Sequence, residues 1–235
     1  MNKPKFIEDV EFKASINTQS GKEWNWINPK HGNFEHPANY YESSLETGHA
    51  FPGLNADLEC DVVVIGGGLL GASTALHLSE HGIDTILVEK NRIGGAASGR
   101  NGGQLTPGLA PLEVNLKELL PTDAPVYDTQ FQIDYYRGVS QNRILFGGEG
   151  TGSCWSPEKT HQYLLGRIQH VFPQLKQVEL DFVWSGTTDL TMNGAADSRK
   201  FGHKFPIYAV QGWSGHGVAQ TVRIGKAIAD DFCGK

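Results

Sequence analysis

The sequence predicts an α/β fold, a Rossmann-like βαβ layer with a reduced antiparallel β element, and three observations lead there. Residues 61–89 run as an apolar strand (DVVVI), a glycine turn (GGGLLG), an apolar helix, a second strand (TILV) and an acid, Glu89. Two strand patterns, FQIDYYR from Phe131 and RILFGG from Arg143, flank GVSQN, a hairpin spacing. A last strand, PIYAVQG from Pro206, passes through a glycine turn into a closing helix, and this strand and helix are expected to return to the N-terminal sheet.

The βαβ unit is the most informative. Gly66 allows the tight turn, Gly68 lets backbone approach a pyrophosphate, and Gly71 lets helix pack on strand, while the helix N-terminus offers N–H groups and a positive dipole end. The helix is expected from about Leu70 to His81, closed by Gly82 as C-cap. Glu89 follows the glycines at about the twenty-residue offset from which a carboxylate reaches a ribose hydroxyl.

Upstream, residues 1–36 read as a polar extension in which Trp24, Trp26 and Phe34 are scattered anchors, and NYYESS within 39–55 reads as a loop. Residues 37–235 then form one domain, its halves 37–108 and 176–235 enclosing a smaller remnant, 119–175. Past Glu89, NRIGGAASGRNGGQL leaves almost no side chain around Arg100, which suits close approach of backbone to a bulky ligand. APLEVNLKELLP from Ala110 suits a short amphipathic helix, and a longer one starts at Pro157 and ends at Pro173. VELDFVWSG from Val178 alternates as a strand, Thr187 to Lys204 reads as a polar loop, and PIYAVQG as a buried strand.

Composition is that of a globular chain with a net charge of −6 and no basic run, which excludes the footprint of a nucleic-acid binder. Cys60, Cys154 and Cys233 are far apart without a CxxC, so they read as reduced thiols of a cytoplasmic protein, and no metal site is expected. The apolar run from Val62 to Leu78 is too short and polar for a membrane span, and MNKPKFIEDVEFK lacks the apolar core of a signal peptide.

Three separated motifs, GGGLLG with Glu89, ASGRNGGQL at Ala97 to Leu105 and QGWSGHGV at Gln211 to Val218, resemble the FAD-dependent amine and amino-acid oxidases of the D-amino-acid oxidase superfamily. SGRNGGQ, NYYESS, the DYYR and RILFGG strands, and FPQL followed by WSG are most similar to its gamma-glutamylputrescine oxidase branch. The resemblance implies that Gly66, Gly67, Gly68, Leu70, Gly71, Glu89, Lys90, Ser98, Arg100, Asn101, Gly102 and Gly103 hold FAD. It puts Gly212, Ser214, Gly215, His216 and Gly217 beside the flavin ring, with the last helix aimed at negative charge on the reduced ring.

The implied reaction is amine oxidation by hydride transfer to flavin, with oxygen as electron acceptor and a small-molecule amine as substrate. Arg100 and His216 are the candidate catalytic residues; for His216 a hydrogen-bonded turn histidine is an equally weighted reading. Arg137 could pair with a substrate carboxylate, whereas packing is the preferred reading of Tyr135 and Tyr136. No cysteine lies in WSGTTD or SGHG, so non-covalent FAD is expected. The family's long middle section is missing between Gln104 and Phe131, so a shortened, non-catalytic FAD-binding relative is the alternative, and uncovered apolar sheet surface is expected.

Overall fold

The computed structural model describes residues 7–8, 39–44, 51–103, 124–128, 133–139, 143–148, 155–175, 178–186, 188–202 and 204–235. The expected amphipathic helix from Ala110 and most of the polar extension lie outside them. The chain divides into two compact units, one of Met1–Ser15, Leu45–Thr106 and Gly186–Lys235, the other of Ile16–Ser44 and Pro107–Ser185.

The first unit contains β1 (Ile7–Glu8), β2 (Val62–Ile65), α2 (Leu69–Glu80), β3 (Thr85–Val88), β7 (Asp197–Phe201), β8 (Ile207–Gln211) and α4 (Gly217–Phe232). The second contains α1 (Tyr40–Ser43), β4 (Val126–Tyr127), β5 (Asp134–Val139), β6 (Arg143–Gly148) and α3 (Pro157–Val171). The result is the expected α/β arrangement, a parallel βαβ unit accompanied by smaller antiparallel pairings.

In the first unit β2 and β3 pair in parallel from Val62↔Thr85 to Ile65↔Val88, and the crossover between them is α2. The β-branched residues of VVVI suit the pleat. Gly82, at φ +77°, ends α2 by donating its N–H to Ser79 O at 2.9 Å, while Ile83 N–H reaches Leu78 O at 3.1 Å. Against α2 lies α4, close enough that a Cβ on Gly225 would sit 2.6 Å from Ser73 Oγ and 2.9 Å from Thr74 N. Ser73 Oγ donates to Val222 O at 3.1 Å, and Leu78, Ile224, Ile228 and Ala229 are buried. The other sheet runs β1-β7-β8, and its opposed residues Lys200 and Tyr208 both reach Asp231 of α4.

The uncovered apolar surface expected of a shortened chain is present: Val63 and Ile65 of β2 are 54% and 85% exposed. A parallel strand is ordinarily covered on both faces.

In the second unit β4, β5 and β6 form an antiparallel sheet on which α3 packs through Ile168 and Phe172. Tyr136 stacks on Phe146 and meets the Phe172 ring edge-on, so packing is its role. Asp134, 1% exposed, receives the Arg167 guanidinium, which anchors α3 to β5. That carboxylate raises the Arg167 pKa through its hydrogen bond. Tyr135 lies over Gly147, where a Cβ would stand 2.2 Å from the ring.

Five expectations need correction. NYYESS holds a one-turn helix, α1, because Asn39 Oδ1 accepts the Glu42 N–H at 3.1 Å as an N-cap. Residues 178–186 carry no strand: the alternating apolar residues are taken up by side-chain packing instead of a ladder, Val178 and Leu180 on the α3 core and Phe182 and Trp184 on Tyr40 and Tyr41. The polar loop contains β7, whose charges are satisfied by Arg199 with Asp197 on the strand and by Lys200 with Asp231 of α4. β8 is half-exposed rather than buried, with Ile207 65% exposed. Finally, only the helix of the C-terminal pair returns to the βαβ unit, since β8 pairs with β7 and not with β2 or β3.

Candidate functional site

The first glycine turn is built by exclusion. Gly66 takes φ +103°, a conformation that disfavours side chains, and a Cβ on Gly71 would lie 1.9 Å from Gly66 O. Helix and turn therefore touch directly. Over Gly67 sits Ile93, whose Cδ1 would be 2.3 Å from a Cβ there, and Gly94 N–H donates to Gly67 O at 2.8 Å.

Glu89, at the end of β3, accepts the Gly67 N–H on Oε2 at 2.7 Å and the Asn91 N–H on Oε1 at 3.0 Å. Its pKa lies below the usual 4.5, chiefly through the Asn91 amide, then opposed by burial and aided by the Gly67 and Lys90 amides. A carboxylate offers about four acceptor positions, so two such bonds leave capacity for hydroxyl donors. Leu70 and Gly71, in the first turn of α2, have amides without intrahelical acceptors. Amides and carboxylate together match what a pyrophosphate and a ribose require.

The small-residue loop closes on this turn. Ser98, in a single 3₁₀ turn over Ala97–Gly99, accepts the Leu69 N–H on Oγ at 3.0 Å, and a Cβ on Gly68 would stand 2.8 Å from that oxygen. Asn101 shapes the loop: Nδ2 donates to Ala97 O and Ser98 O, both at 2.9 Å, and Oδ1 accepts the Gly103 N–H at 2.8 Å. Gly103 has φ +67°. Arg100 is buried at 5% exposure, and Gly186 packs where a Cβ would lie 3.8 Å from the Arg100 Cβ. Lys90 is exposed, and Gly102 is half-buried.

The second glycine turn precedes α4. Gly212, Ser214 and Gly215 have φ of +76°, +48° and +83°. Gly217 starts the helix over the Trp213 ring, where a Cβ would lie 3.4 Å from Trp213 Cγ. His216 is the exposed N-cap residue; its ring makes no capping bond, its N–H donates to Trp213 O at 2.9 Å, and its carbonyl accepts from Gln220 N.

The structure thus brings Gly66, Gly67, Gly68, Gly71, Glu89 and Ser98 into one contiguous turn, and groups Gly212, Ser214, Gly215, His216 and Gly217 in another. Sequence reasoning missed Ile93, Asp189 and Thr191. An apolar residue inside NRIGG was a signal for Ile93; nothing local marks Asp189, whose partners lie 23 and 24 residues downstream.

A glycine turn at a helix N-terminus between parallel strands, with an acid at the end of the second, defines a dinucleotide-binding βαβ unit. The chain belongs to the FAD dependent oxidoreductase family DAO, which matches residues 61–123 and 111–231. It is similar to the gamma-glutamylputrescine oxidoreductase of Escherichia coli, 52% identical over 71 residues, which are 30% of this chain and 17% of that protein. A probable oxidoreductase OrdL of Haemophilus influenzae is 38% identical over 46% of this chain and 24% of its own length, and that of Rhizobium meliloti 30% identical over 50% and 27%. These matches span about a sixth to a quarter of each relative's length. No solved structure matches the chain.

Among the described residues no helix is long and apolar enough to cross a membrane, and no cluster of His, Cys, Asp and Glu could hold a metal ion. Cys60 and Cys233 are free thiols.

Proposed function

We propose that the chain binds FAD without a covalent link and oxidises the CH–NH group of a small amine, gamma-glutamylputrescine or a related polyamine or amino acid, in the cytoplasm. The observation that carries this reading is the joint between the two cofactor motifs: Ser98 of the SGRNGG loop caps Leu69 at the head of α2, and Glu89 closes on Gly67. Family membership and the relatives' names support the same chemistry.

In this reading the amides of the α2 first turn take the pyrophosphate oxygens, and Glu89 accepts from the ribose hydroxyls. FAD when bound supplies the two-electron step, taking a hydride from the carbon beside nitrogen and passing the electrons to oxygen. The amides at the start of α4, beyond His216, stabilise negative charge at the ring, and His216 orients the amine from its exposed position. Arg100, buried in the loop with its Cβ beside Gly186, is the second candidate catalytic residue.

A second reading, a shortened relative that binds FAD without turnover, is favoured by the uncovered Val63 and Ile65 and by the small part of each relative that the chain spans. One experiment separates the two. The purified chain is reconstituted with FAD, its absorbance recorded, and gamma-glutamylputrescine and simple polyamines are added without oxygen. Bleaching of the flavin band supports the oxidase; an unchanged band supports the non-catalytic relative; failure to retain FAD overturns both.

A further inference from the structure

The geometry points to Asp189 as the positioning residue of the second glycine turn, the carboxylate that sets the direction of α4 and of His216. The inference rests on the proposed FAD-binding role of that turn. Asp189 accepts the Gly212 N–H on Oδ2 and the Trp213 N–H on Oδ1 at 3.2 Å, and its main-chain oxygen accepts the Ser214 N–H at 3.0 Å. Three successive amides of the turn therefore converge on one residue.

Thr191 completes the clasp. Its N–H donates to Ser214 Oγ at 3.0 Å, its own hydroxyl lies 3.1 Å from the same oxygen, and it also donates to Ala195 O. Its methyl group fills the space above Gly212, where a Cβ would lie 2.2 Å away. The left-handed Ser214 needs such support, because φ +48° is a region that residues with side chains rarely occupy.

The clasp also has a direction. Amides 212–214 face Asp189 and are used, and His216 N–H is used by Trp213 O. The first-turn amides of α4, at Gly217 to Ala219, have no intrahelical acceptors and leave the helix on its N-terminal side. Asp189 holds the turn from behind, and by doing so fixes where those amides and the N-capping His216 point. Nearby in the sequence, Gly186 lies against the SGRNGG loop, where a Cβ on it would stand 3.6 Å from Ala97 Cα and 3.8 Å from Arg100 Cβ.

Asp189→Asn tests this. The amide keeps the shape but presents an N–H₂ donor in place of one acceptor, so Gly212 and Trp213 cannot both be bonded. Amide hydrogen exchange on the cofactor-free protein is expected to speed up at least about tenfold at Gly212, Trp213 and Ser214, with the α2 and α4 interior amides unchanged as a control of folding. In the FAD-loaded protein the two-electron midpoint potential is expected to fall, a tenfold loss of reduced-state stabilisation being about 30 mV. Should the α2 amides also lose protection, Asp189→Ser, which retains the main-chain acceptor, is read in the same way.

Wild-type protection at the three amides of the variant overturns the clasp. Lost protection with an unchanged potential and flavin spectrum overturns the positioning role and leaves only a structural one. A wild-type chain that retains no FAD overturns the functional reading and the role together, while the exchange data still decide the clasp.

Discussion

Gly71→Ala should destabilise the βαβ unit, and the structure sets the size of the effect. A Cβ at residue 71 would meet Gly66 O at 1.9 Å, Gly66 C at 3.1 Å and Val64 Cγ1 at 3.4 Å, and contacts under 3.0 Å are essentially never made by real Cβ atoms. The helix would have to withdraw by about 1.1 Å from a backbone oxygen that cannot rotate away. Withdrawal is blocked on the other side, where Ser73 and Thr74 already stand against Gly225. Overpacking typically costs 1–3 kcal/mol, and with backbone on both sides the upper end or more applies. Alanine's better helix propensity returns about 1 kcal/mol, which leaves a net loss of about 2–3 kcal/mol from a total of roughly 5–15.

Urea unfolding followed by far-ultraviolet circular dichroism measures this as a lower midpoint at unchanged slope, a shift of about 1 M. Gly166→Ala is the control, since that residue of α3 is exposed with nothing within 4 Å of a Cβ, and it should gain up to about 1 kcal/mol. Gly225→Ala should also destabilise, but by less than Gly71→Ala, because its nearest contacts, 2.6 Å to Ser73 Oγ and 2.9 Å to Thr74 N, are less severe than the 1.9 Å at Gly71. A Gly71→Ala protein as stable as the wild type, or a Gly166→Ala protein that loses as much as Gly71→Ala, would refute the reasoning.

Arg167→Met leaves the buried Asp134 carboxylate without its cation and should cost about 3–5 kcal/mol by urea midpoint, part of it recovered in Asp134→Asn/Arg167→Met. Glu89 has a folded pKa below 4.5, so its ionised form contributes stability above that value which is lost as pH falls through the folded pKa; the midpoint of the wild type should drop more steeply below pH 4.5 than that of Glu89→Gln. Tyr208 is held protonated up to about 12, by burial first and then by Asp231, against an ordinary value of 10. Between those two values the unfolded chain loses its proton first and stability falls with rising pH, so phenolate absorbance should show a late-titrating tyrosine that Tyr208→Phe removes.

The βαβ unit was legible because its information is local: three glycines with fixed backbone demands, two β-branched runs and one acid at a set offset. The hairpin was legible for the same reason, with alternation broken by a short polar loop. β7 was not, because DSRKF has four polar residues in five and becomes a strand only through its ladder with β8 and its charge partners on the strand and on α4. Conversely, VELDFVWSG alternates like a strand yet finds no neighbouring strand among the described residues. α1 carried a readable signal, Asn39 with Glu42 three residues on, the pattern of an N-cap whose acid lies in the first turn. In the site, residues that act through backbone geometry could be named from sequence, whereas Asp189 acts across 23 residues of chain and had no pattern to betray it.

The pairing of α2 with α4 joins parts of the chain made at different times: Ser73 bonds to Val222, 149 residues later. At about 5–20 residues per second, α2 emerges on the order of ten seconds before the helix that covers Ser73, Thr74 and Leu78 exists. Throughout that interval the glycine turn has its strands but not its support, so the nascent chain cannot complete the packing behind this turn until α4 has been translated.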